Sequence, residues 1–200
     1  MCQLKEHKFP LDSFIGGWYI NTTVCDELLS YAKVHYYSSS HGVTGSVKKK
    51  DSKIKKSHDI SNNIVDEPMA SYREELSKVL EKYIERYDLN ELYYFNIFER
   101  ANIQYYKPTE GYYKFHMENN GAPNFNSLRV LVYMTYLNDV EDGGTIFKYQ
   151  NIITPAKKGL TLLWPAYFTH VHKGQISQTS EKFIVTGWYS FRRTNENFTF

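Results

Sequence analysis

The distribution of hydrophobic and polar residues changes character near residue 92. Before that point, two segments carry apolar residues at the three- and four-residue spacing of an amphipathic helix. The pattern predicts helices over 21–33, with Asn21 to Thr23 as capping candidates, and over 66–86. The second is the clearer one, and its apolar positions are Met69, Tyr72, Leu76, Leu80, Tyr83 and Ile84.

The rest of the chain consists of short apolar stretches and polar connections. Segment 40–65 is rich in Ser and Lys with little periodicity, which predicts a long mobile loop. After residue 92, turn sequences such as PTEG, NGAPN and DVEDGG separate the predicted strands. These are ELYYFNIFER, ANIQYYKP, YYKFHMEN, LRVLVYMTYLND, TIFKYQ, NIITPAKKGLTLLWP, THVHKG and EKFIVTGWYSF. Such an order predicts a mainly β fold, an antiparallel barrel or jelly-roll supported by N-terminal helices.

Length and composition fit one globular domain. The 200 residues suffice for one sizeable core, so we expect a single domain over 1–200, with a helical part over 1–92 and a β core over 93–191. We find no signal-peptide pattern and no apolar stretch near 18 residues, which predicts a cytoplasmic protein without a membrane partner. Cys2 and Cys25 lack metal-ligand spacing and are expected to be reduced thiols.

The net charge of +2 is unevenly distributed. Residues 48–56 carry six Lys and one Asp, a local charge of +5, so the remainder has 2 − 5 = −3. This excludes a generally basic protein and leaves one basic loop, 48–58. Such a loop is commonly only solvated, but it could also hold a peptide or attract nucleic acid.

Two His-containing pairs are the strongest candidates for chemistry. His116 and Glu118 stand two apart on a predicted strand, and His170 and His172 repeat the spacing on a later one. Side chains two apart leave the same face of a strand. A site with two His and one carboxylate on one face is typical of open-site Fe(II) oxygenases. Satisfied polar groups, or a cupin-like site using both pairs, are the alternatives.

Lys182 opens a strand on which it shares a face with Ile184, Thr186 and Trp188. A lysine that points into an aromatic interior is costly unless an anion pairs with it, and a dicarboxylic co-substrate would be such an anion. The alternative is a lysine at the strand end whose ammonium group reaches the solvent.

The motifs of the second half resemble those of a known family. In order they are Tyr106, Pro108, Gly111 and Tyr112, the His116–Glu118 pair, Arg129, the run YLNDVEDGGTIF over 136–147, Pro155, Gly159, Pro165, His172, Lys182 and the triplet 186–188. This part, about residues 100 to 191, is similar to the prolyl 4-hydroxylase branch of the Fe(II)- and 2-oxoglutarate-dependent dioxygenases. The small forms of bacteriophages and large viruses are the most similar, while residues 1–99 match only in outline.

The resemblance implies an iron site. His116, Glu118 and His172 would be the iron ligands, and the ten-residue step to Lys182 selects His172 over His170. His170 would then be a supporting group beside the metal ligands, a group on the substrate side, or a structural residue. The family usually has His-x-Asp, so Glu118 departs from its pattern and puts the iron geometry in doubt.

The resemblance also implies a co-substrate pocket. Lys182 would bind the distal carboxylate of 2-oxoglutarate, Tyr106 and Tyr136 would line the pocket, Thr186 would supply a hydroxyl beside the lysine, and Trp188 would form a wall behind the metal. Simple packing is the alternative for both tyrosines, because this chain has 18 tyrosines and most must pack.

Fold and activity follow from the same resemblance. It implies a double-stranded β-helix and hydroxylation of an unactivated C–H bond with Fe(II), 2-oxoglutarate and O2, and with ascorbate as an optional further cofactor. The implied substrate is a proline-containing peptide or protein, as for procollagen-proline 4-dioxygenases, in the host cytoplasm if the gene is viral. The alternatives are an oxygenase acting on nucleic acid or a small molecule, a cupin-like metal protein without 2-oxoglutarate, and a metal-free binding module. Nucleic acid is not expected, because that branch typically uses arginine where this chain has Lys182.

Overall fold

The computed structural model describes residues 4–36, 40–41, 51–91, 95–122 and 125–191. Its two α-helices are α1 (Thr22–Val34) and α2 (Met69–Tyr87). Its strands are β1 (Lys5–Glu6), β2 (Gly16–Tyr19), β3 (Ser40–His41), β4 (His58–Asn62), β5 (Phe95–Asn96), β6 (Ala101–Tyr106), β7 (Arg129–Tyr136), β8 (Thr145–Phe147), β9 (Ile152–Ile153), β10 (Leu160–Pro165), β11 (His172–Gly174) and β12 (Lys182–Phe191). The protein is therefore mainly β, as predicted.

Two antiparallel sheets organise these strands. The large sheet has the order β1-β2-β10-β7-β12-β6-β4-β3, with β5 paired to β12, and the small sheet has the order β11-β8-β9. Neither described helix combines the length and the apolar composition of a membrane span.

Both helices lie close to the predicted positions and cover one face of the large sheet. The side chain of Asn21 caps α1, since it accepts a hydrogen bond from the backbone N–H of Thr23 at 3.0 Å. The buried positions of α2 include Tyr72, whose hydroxyl lies 2.8 Å from that of Thr135 on β7. The apolar faces of the helices and one face of the sheet form the first hydrophobic core.

Alternate residues of a strand face opposite sides of the sheet, so one set packs into this core and the other set faces the interior that carries the candidate site. On β12, Phe183 and Val185 belong to the core beneath the helices. Ile184 belongs to a second core, whose buried members come from both sheets, and Trp188 packs against it. The predicted common face of Lys182, Ile184 and Trp188 is thus the face turned away from the helices.

Two predictions about the chain's organisation are wrong. Segment 40–65 is not one mobile loop, because β4 pairs along its length with β6 as part of the large sheet. The polar sequence of β4 does not show the apolar alternation of a strand, and backbone hydrogen bonds to β6 hold it in the sheet. The predicted strand over 112–119 is not regular either, since its described β-pairing consists of isolated bridges at Tyr112 and His116. Residues 48–50 of the basic loop lie outside the described residues.

Candidate active site

The main chain brings the predicted ligands together. His116 and His172 face each other across an antiparallel bridge, in which each backbone N–H donates to the other residue's carbonyl at 2.9 Å. Two residues on, the N–H of Glu118 donates to the carbonyl of Ala166 at 3.2 Å, at the end of β10. The same-face geometry expected of a strand therefore arises from this bridge.

The three side chains converge on one point. Nε2 of His116 lies 3.2 Å from Oε1 of Glu118, and Nε2 of His172 lies 3.8 Å from the same oxygen. One ligand atom from each residue falls within 4.8 Å of the others, and among the described residues this is the one such group of His, Cys, Asp or Glu. Two imidazoles and one carboxylate are the donor set of an open Fe(II) site.

Backbone carbonyls orient both imidazoles. Nδ1 of His172 lies 2.9 Å from the carbonyl of His170, and Nδ1 of His116 lies 3.2 Å from that of Lys114. A carbonyl accepts only from a protonated nitrogen, so each ring turns a protonated Nδ1 to the backbone and its Nε2 to the centre. Burial, together with the neighbouring His116, lowers the pKa of His172 to about 3, which keeps its imidazole neutral and able to ligate.

Glu118 is held in its charged form. Burial alone would raise its pKa, but the hydrogen bond from His116 and the nearby charges outweigh burial and hold the pKa well below its ordinary value. Its second oxygen, Oε2, accepts from Nε1 of Trp188 at 3.0 Å and from Arg129 at 3.3 Å. Trp188, predicted as a wall behind the metal, therefore orients the carboxylate directly.

Arg129 links this carboxylate to a second one. Its guanidinium donates to both oxygens of Glu99, at 2.8 and 2.5 Å, and lies 3.5 Å from the ring centroid of Trp188. Sequence reasoning placed Arg129 in the motif order without a role and missed Glu99. No signal in the sequence pairs residues 30 positions apart, because the contact depends on how two distant segments of the chain fold together.

Lys182 is buried, and its hydrogen-bond partners are backbone carbonyls. It is 5% exposed, and Nζ donates to the carbonyls of Gly143 and Gln175 at 3.1 and 2.9 Å. No ion pair of the described residues includes Lys182. Burial lowers its pKa to about 8. A buried ammonium with three donors and two neutral acceptors is suited to an incoming anion.

The remaining predicted pocket residues occupy different positions. Tyr106 pairs in register with Lys182, whose Nζ lies 5.3 Å from the tyrosine ring centroid. The hydroxyl of Tyr136 lies 2.8 and 2.9 Å from those of Thr145 and Thr154, so it links the large sheet to the small-sheet region. The hydroxyl of Thr186 donates to the carbonyl of Tyr133 at 3.2 Å.

His170 does not join the cluster of His116, Glu118 and His172. It ends a short 3-10 helix, Phe168–His170, instead of lying on the predicted strand. Its Nε2 lies 2.9 Å from the carbonyl of Ser13, and its own carbonyl orients His172. His170 therefore contacts His172 through its backbone carbonyl, while its imidazole contacts Ser13.

Replacement of the two histidines should have different consequences. We expect His172→Ala to lower the Fe(II) affinity by more than about 100-fold, because it removes a ligand, and His170→Ala to lower it by about tenfold or less. His170→Ala should instead cost about 1–3 kcal/mol of unfolding free energy, because the Ser13 carbonyl loses its partner. Calorimetric Fe(II) titration and urea unfolding measure the two effects. Equal losses of affinity would contradict this assignment.

The buried lysine should give the stability a characteristic pH dependence. In the unfolded chain Lys182 has its ordinary pKa of 10.5, whereas its folded pKa is about 8. Between these values the unfolded state binds more protons, so stability without co-substrate should rise with pH, by at most about 1.4 kcal/mol per pH unit. Urea unfolding of the wild type minus that of Lys182→Met isolates this contribution, since other titrating groups cancel. A difference that stays constant through this range would contradict the buried ammonium.

Comparison with known families agrees with this geometry. Residues 101–190 match the model of the 2OG-Fe(II) oxygenase superfamily. The match supports the superfamily to which the predicted family belongs, and with it Fe(II), 2-oxoglutarate and O2 as the cofactors and co-substrates of that superfamily. The comparison with curated proteins found no match.

Solved structures with a similar fold include prolyl hydroxylases. The viral collagen prolyl hydroxylase of Paramecium bursaria Chlorella virus-1, solved with 2-oxoglutarate, has a TM-score of 0.67 and 17% identity, covering 90% of this chain and 97% of its own. A Pseudomonas putida prolyl-4-hydroxylase has a TM-score of 0.67 and 13% identity, covering 92% and 97%. A Trichoplax adhaerens prolyl hydroxylase, solved with a hypoxia inducible factor peptide, has a TM-score of 0.67 and 18% identity, covering 86% and 80%.

Proposed function

We propose that the protein is an Fe(II)- and 2-oxoglutarate-dependent oxygenase that hydroxylates an unactivated C–H bond of a peptidyl proline. The observation that carries this proposal is that a cluster of two His and one carboxylate and a buried lysine that donates to two backbone carbonyls lie in the same interior between the two sheets. The two sheets around that interior would be the halves of a double-stranded β-helix, with α1 and α2 packed against its outside.

The residues present fit an iron ion. His116, Glu118 and His172 would hold it through two neutral Nε2 atoms and one ionised carboxylate, and three ligands leave the remaining positions open. Trp188 and Arg129 occupy the oxygen of Glu118 that faces away from His116, so the carboxylate is fixed before any metal arrives. This pair of hydrogen bonds would position the longer glutamate side chain that stands in place of the family's usual aspartate.

The residues also fit 2-oxoglutarate. Two of the three N–H donors of the Lys182 ammonium are used by backbone carbonyls, and the third would bind the distal carboxylate of 2-oxoglutarate. Tyr106 would flank the aliphatic part of 2-oxoglutarate. When bound, iron and 2-oxoglutarate together supply the oxidising chemistry, while this chain's own residues fix the two groups and exclude water. Phe147 and Trp164 pack edge-on or tilted around His172 and keep that side of the site dry.

Proline as the substrate rests on the structural neighbours. All the similar structures described above are named as prolyl hydroxylases. One is a viral collagen prolyl hydroxylase, and another is in complex with a peptide. Two of the three described lysines of the basic loop are paired with carboxylates, which does not favour nucleic acid: Lys55 is buried against Asp59 at 2.6 Å, and Lys56 pairs with Glu110 at 3.1 Å.

The cupin-like alternative finds no support in the histidines. A four-ligand site needs the imidazole of His170 beside that of His172. The imidazole of His170 is instead engaged by Ser13 and by the hydroxyl of Thr169 at 2.9 Å.

Peptide oxidation tests the proposal. The protein with Fe(II), 2-oxoglutarate and O2 should add one oxygen atom to a proline-rich peptide and form one succinate for each peptide oxidised, as measured by mass spectrometry. The same peptide with alanine in place of proline is the control and should stay unmodified. Oxidation of both peptides alike, or of an oligonucleotide instead of either, would contradict proline as the substrate.

A further inference from the structure

The segment that carries the candidate ligands has a second face. The antiparallel pairs His116 with His172, His172 with Phe147, and Phe147 with Ile152 lie side by side and point inward. Directly opposed residues share a face, so their chain neighbours point outward. The small sheet and the ligand segment thus have an outer face on the side opposite the metal site.

This outer face is apolar where an antiparallel sheet normally meets water with polar side chains. Phe115 is 41% exposed, Met117 39% and Ile153 60%, and Tyr149 beside them is 63% exposed. Ile146 and Val171 lie between these residues and are half-buried. We call this surface, made of Phe115, Met117, Lys148, Tyr149, Ile153 and Lys173, the outer patch. Exposed apolar residues grouped in this way mark interaction sites more often than scattered ones do.

Two lysines give the outer patch a positive charge. Nζ of Lys173 lies 4.8 Å from the ring centroid of Phe115, and Nζ of Lys148 lies 5.9 Å from that ring and 5.4 Å from the ring of Tyr149. Neither ammonium takes part in an ion pair among the described residues. The patch therefore presents apolar area and two unneutralised cations together.

We propose that the outer patch docks an acidic, extended segment of the protein substrate, at a distance from the residue that is oxidised. That the docked segment belongs to a substrate rests on the proposed function. That the segment is acidic rests on charge complementarity with the two lysines. Carboxylates of the segment would pair with Lys148 and Lys173, and its apolar side chains would cover Phe115, Met117 and Ile153.

Two other occupants fit the outer patch less well. A second copy of the chain in a two-fold dimer would bring Lys148 and Lys173 against the same patch of its partner, where like charges repel. Single-stranded nucleic acid needs open ring faces for its bases. The ring of Phe115 is already approached by two ammonium groups and the ring of Tyr149 by one, and Met117 and Ile153 offer no stacking surface.

Binding of a labelled peptide tests the proposal. The probe is a fluorescein-labelled peptide of alternating Glu, Pro and Leu, and its counterpart has Lys in place of Glu. By fluorescence anisotropy we expect the acidic peptide to bind and the basic one not to bind. Lys148→Glu/Lys173→Glu should weaken binding by about tenfold or more, and added salt should weaken binding to the wild type. The matched control is Lys8→Glu/Lys33→Glu, two exposed lysines elsewhere, which should bind as the wild type does.

The outcomes separate this proposal from the proposed function. Loss of peptide binding in Lys148→Glu/Lys173→Glu, with Fe(II) and 2-oxoglutarate binding retained, supports the outer patch. Equal binding of the two peptides, equal weakening by the control variant, or tighter binding of a labelled oligothymidylate overturns it. So does a dimer in sedimentation velocity that the charge reversal dissociates. Acidic-peptide binding without any 2-oxoglutarate turnover would leave the patch standing as a protein-docking surface and refute the oxygenase.

Discussion

Glu118→Ala is expected to lower 2-oxoglutarate turnover by more than about 100-fold. Such a loss exceeds the usual effect of replacing a residue that only hydrogen-bonds to a metal ligand. Glu118 is the sole carboxylate of the cluster among the described residues, and its Oε1 lies between the two imidazoles. The variant should lose Fe(II) affinity as well, because two neutral imidazoles remain. Succinate formation and Fe(II) titration measure the two losses.

Glu99→Gln is the matched control for this variant. Glu99 contacts Arg129, as Glu118 does, but it does not belong to the ligand cluster. We expect 2-oxoglutarate turnover by the Glu99→Gln variant to fall by about tenfold or less, because Arg129 is held less firmly. Activity in Glu118→Ala close to that of the wild type would place the carboxylate ligand elsewhere.

Lys182→Met is expected to raise the KM for 2-oxoglutarate by about 100-fold or more, while Fe(II) affinity stays within about twofold of the wild type. A buried charged hydrogen bond to a carboxylate, once deprived of one partner, typically costs about 2–5 kcal/mol. Methionine keeps most of the side-chain volume, and it removes an ammonium whose burial is costly without an anion. The variant without co-substrate should therefore be no less stable than the wild type.

Lys157→Met, at an exposed lysine, is the control for that experiment and should leave KM unchanged. Steady-state kinetics at saturating O2 and urea unfolding are the measurements. An unchanged KM in Lys182→Met would show that the buried lysine does not contact the co-substrate. A large loss of stability would show that its two carbonyl partners need it for folding.

The features that the sequence could predict are those with a local signature. The two helices follow from apolar spacing, and the period of two on β12 placed Lys182, Ile184 and Trp188 on one face. Because β12 is the longest strand and is paired on both sides, its alternation survives in the structure. The His116–Glu118 pair was also visible, although an isolated bridge holds it instead of a regular strand.

The features that the sequence could not predict depend on contacts between distant segments. β4 has a polar sequence, and only its backbone ladder with β6 makes it a strand. β2 begins with two glycines that resemble a turn. A Cβ at Gly16 would lie 2.5 Å from the Trp18 ring, so the glycine provides space for packing within a strand.

The same limit applies within the site. The pairing of Arg129 with Glu99 and Glu118 has no sequence spacing that would reveal it, because three separate segments meet there. The 3-10 turn that directs the imidazole of His170 toward Ser13 was equally hidden. His170 and His172 therefore looked equivalent by strand spacing, and only the resemblance to the family distinguished them.

An anaerobic titration of the metal-free protein with Fe(II) and 2-oxoglutarate tests the central claim most directly. The account predicts a weak visible charge-transfer band that requires both additions, disappears in Glu118→Ala and is weakened in Lys182→Met. Binding of Fe(II) without such a band at any 2-oxoglutarate concentration would contradict it, because the site would then hold metal for a different chemistry.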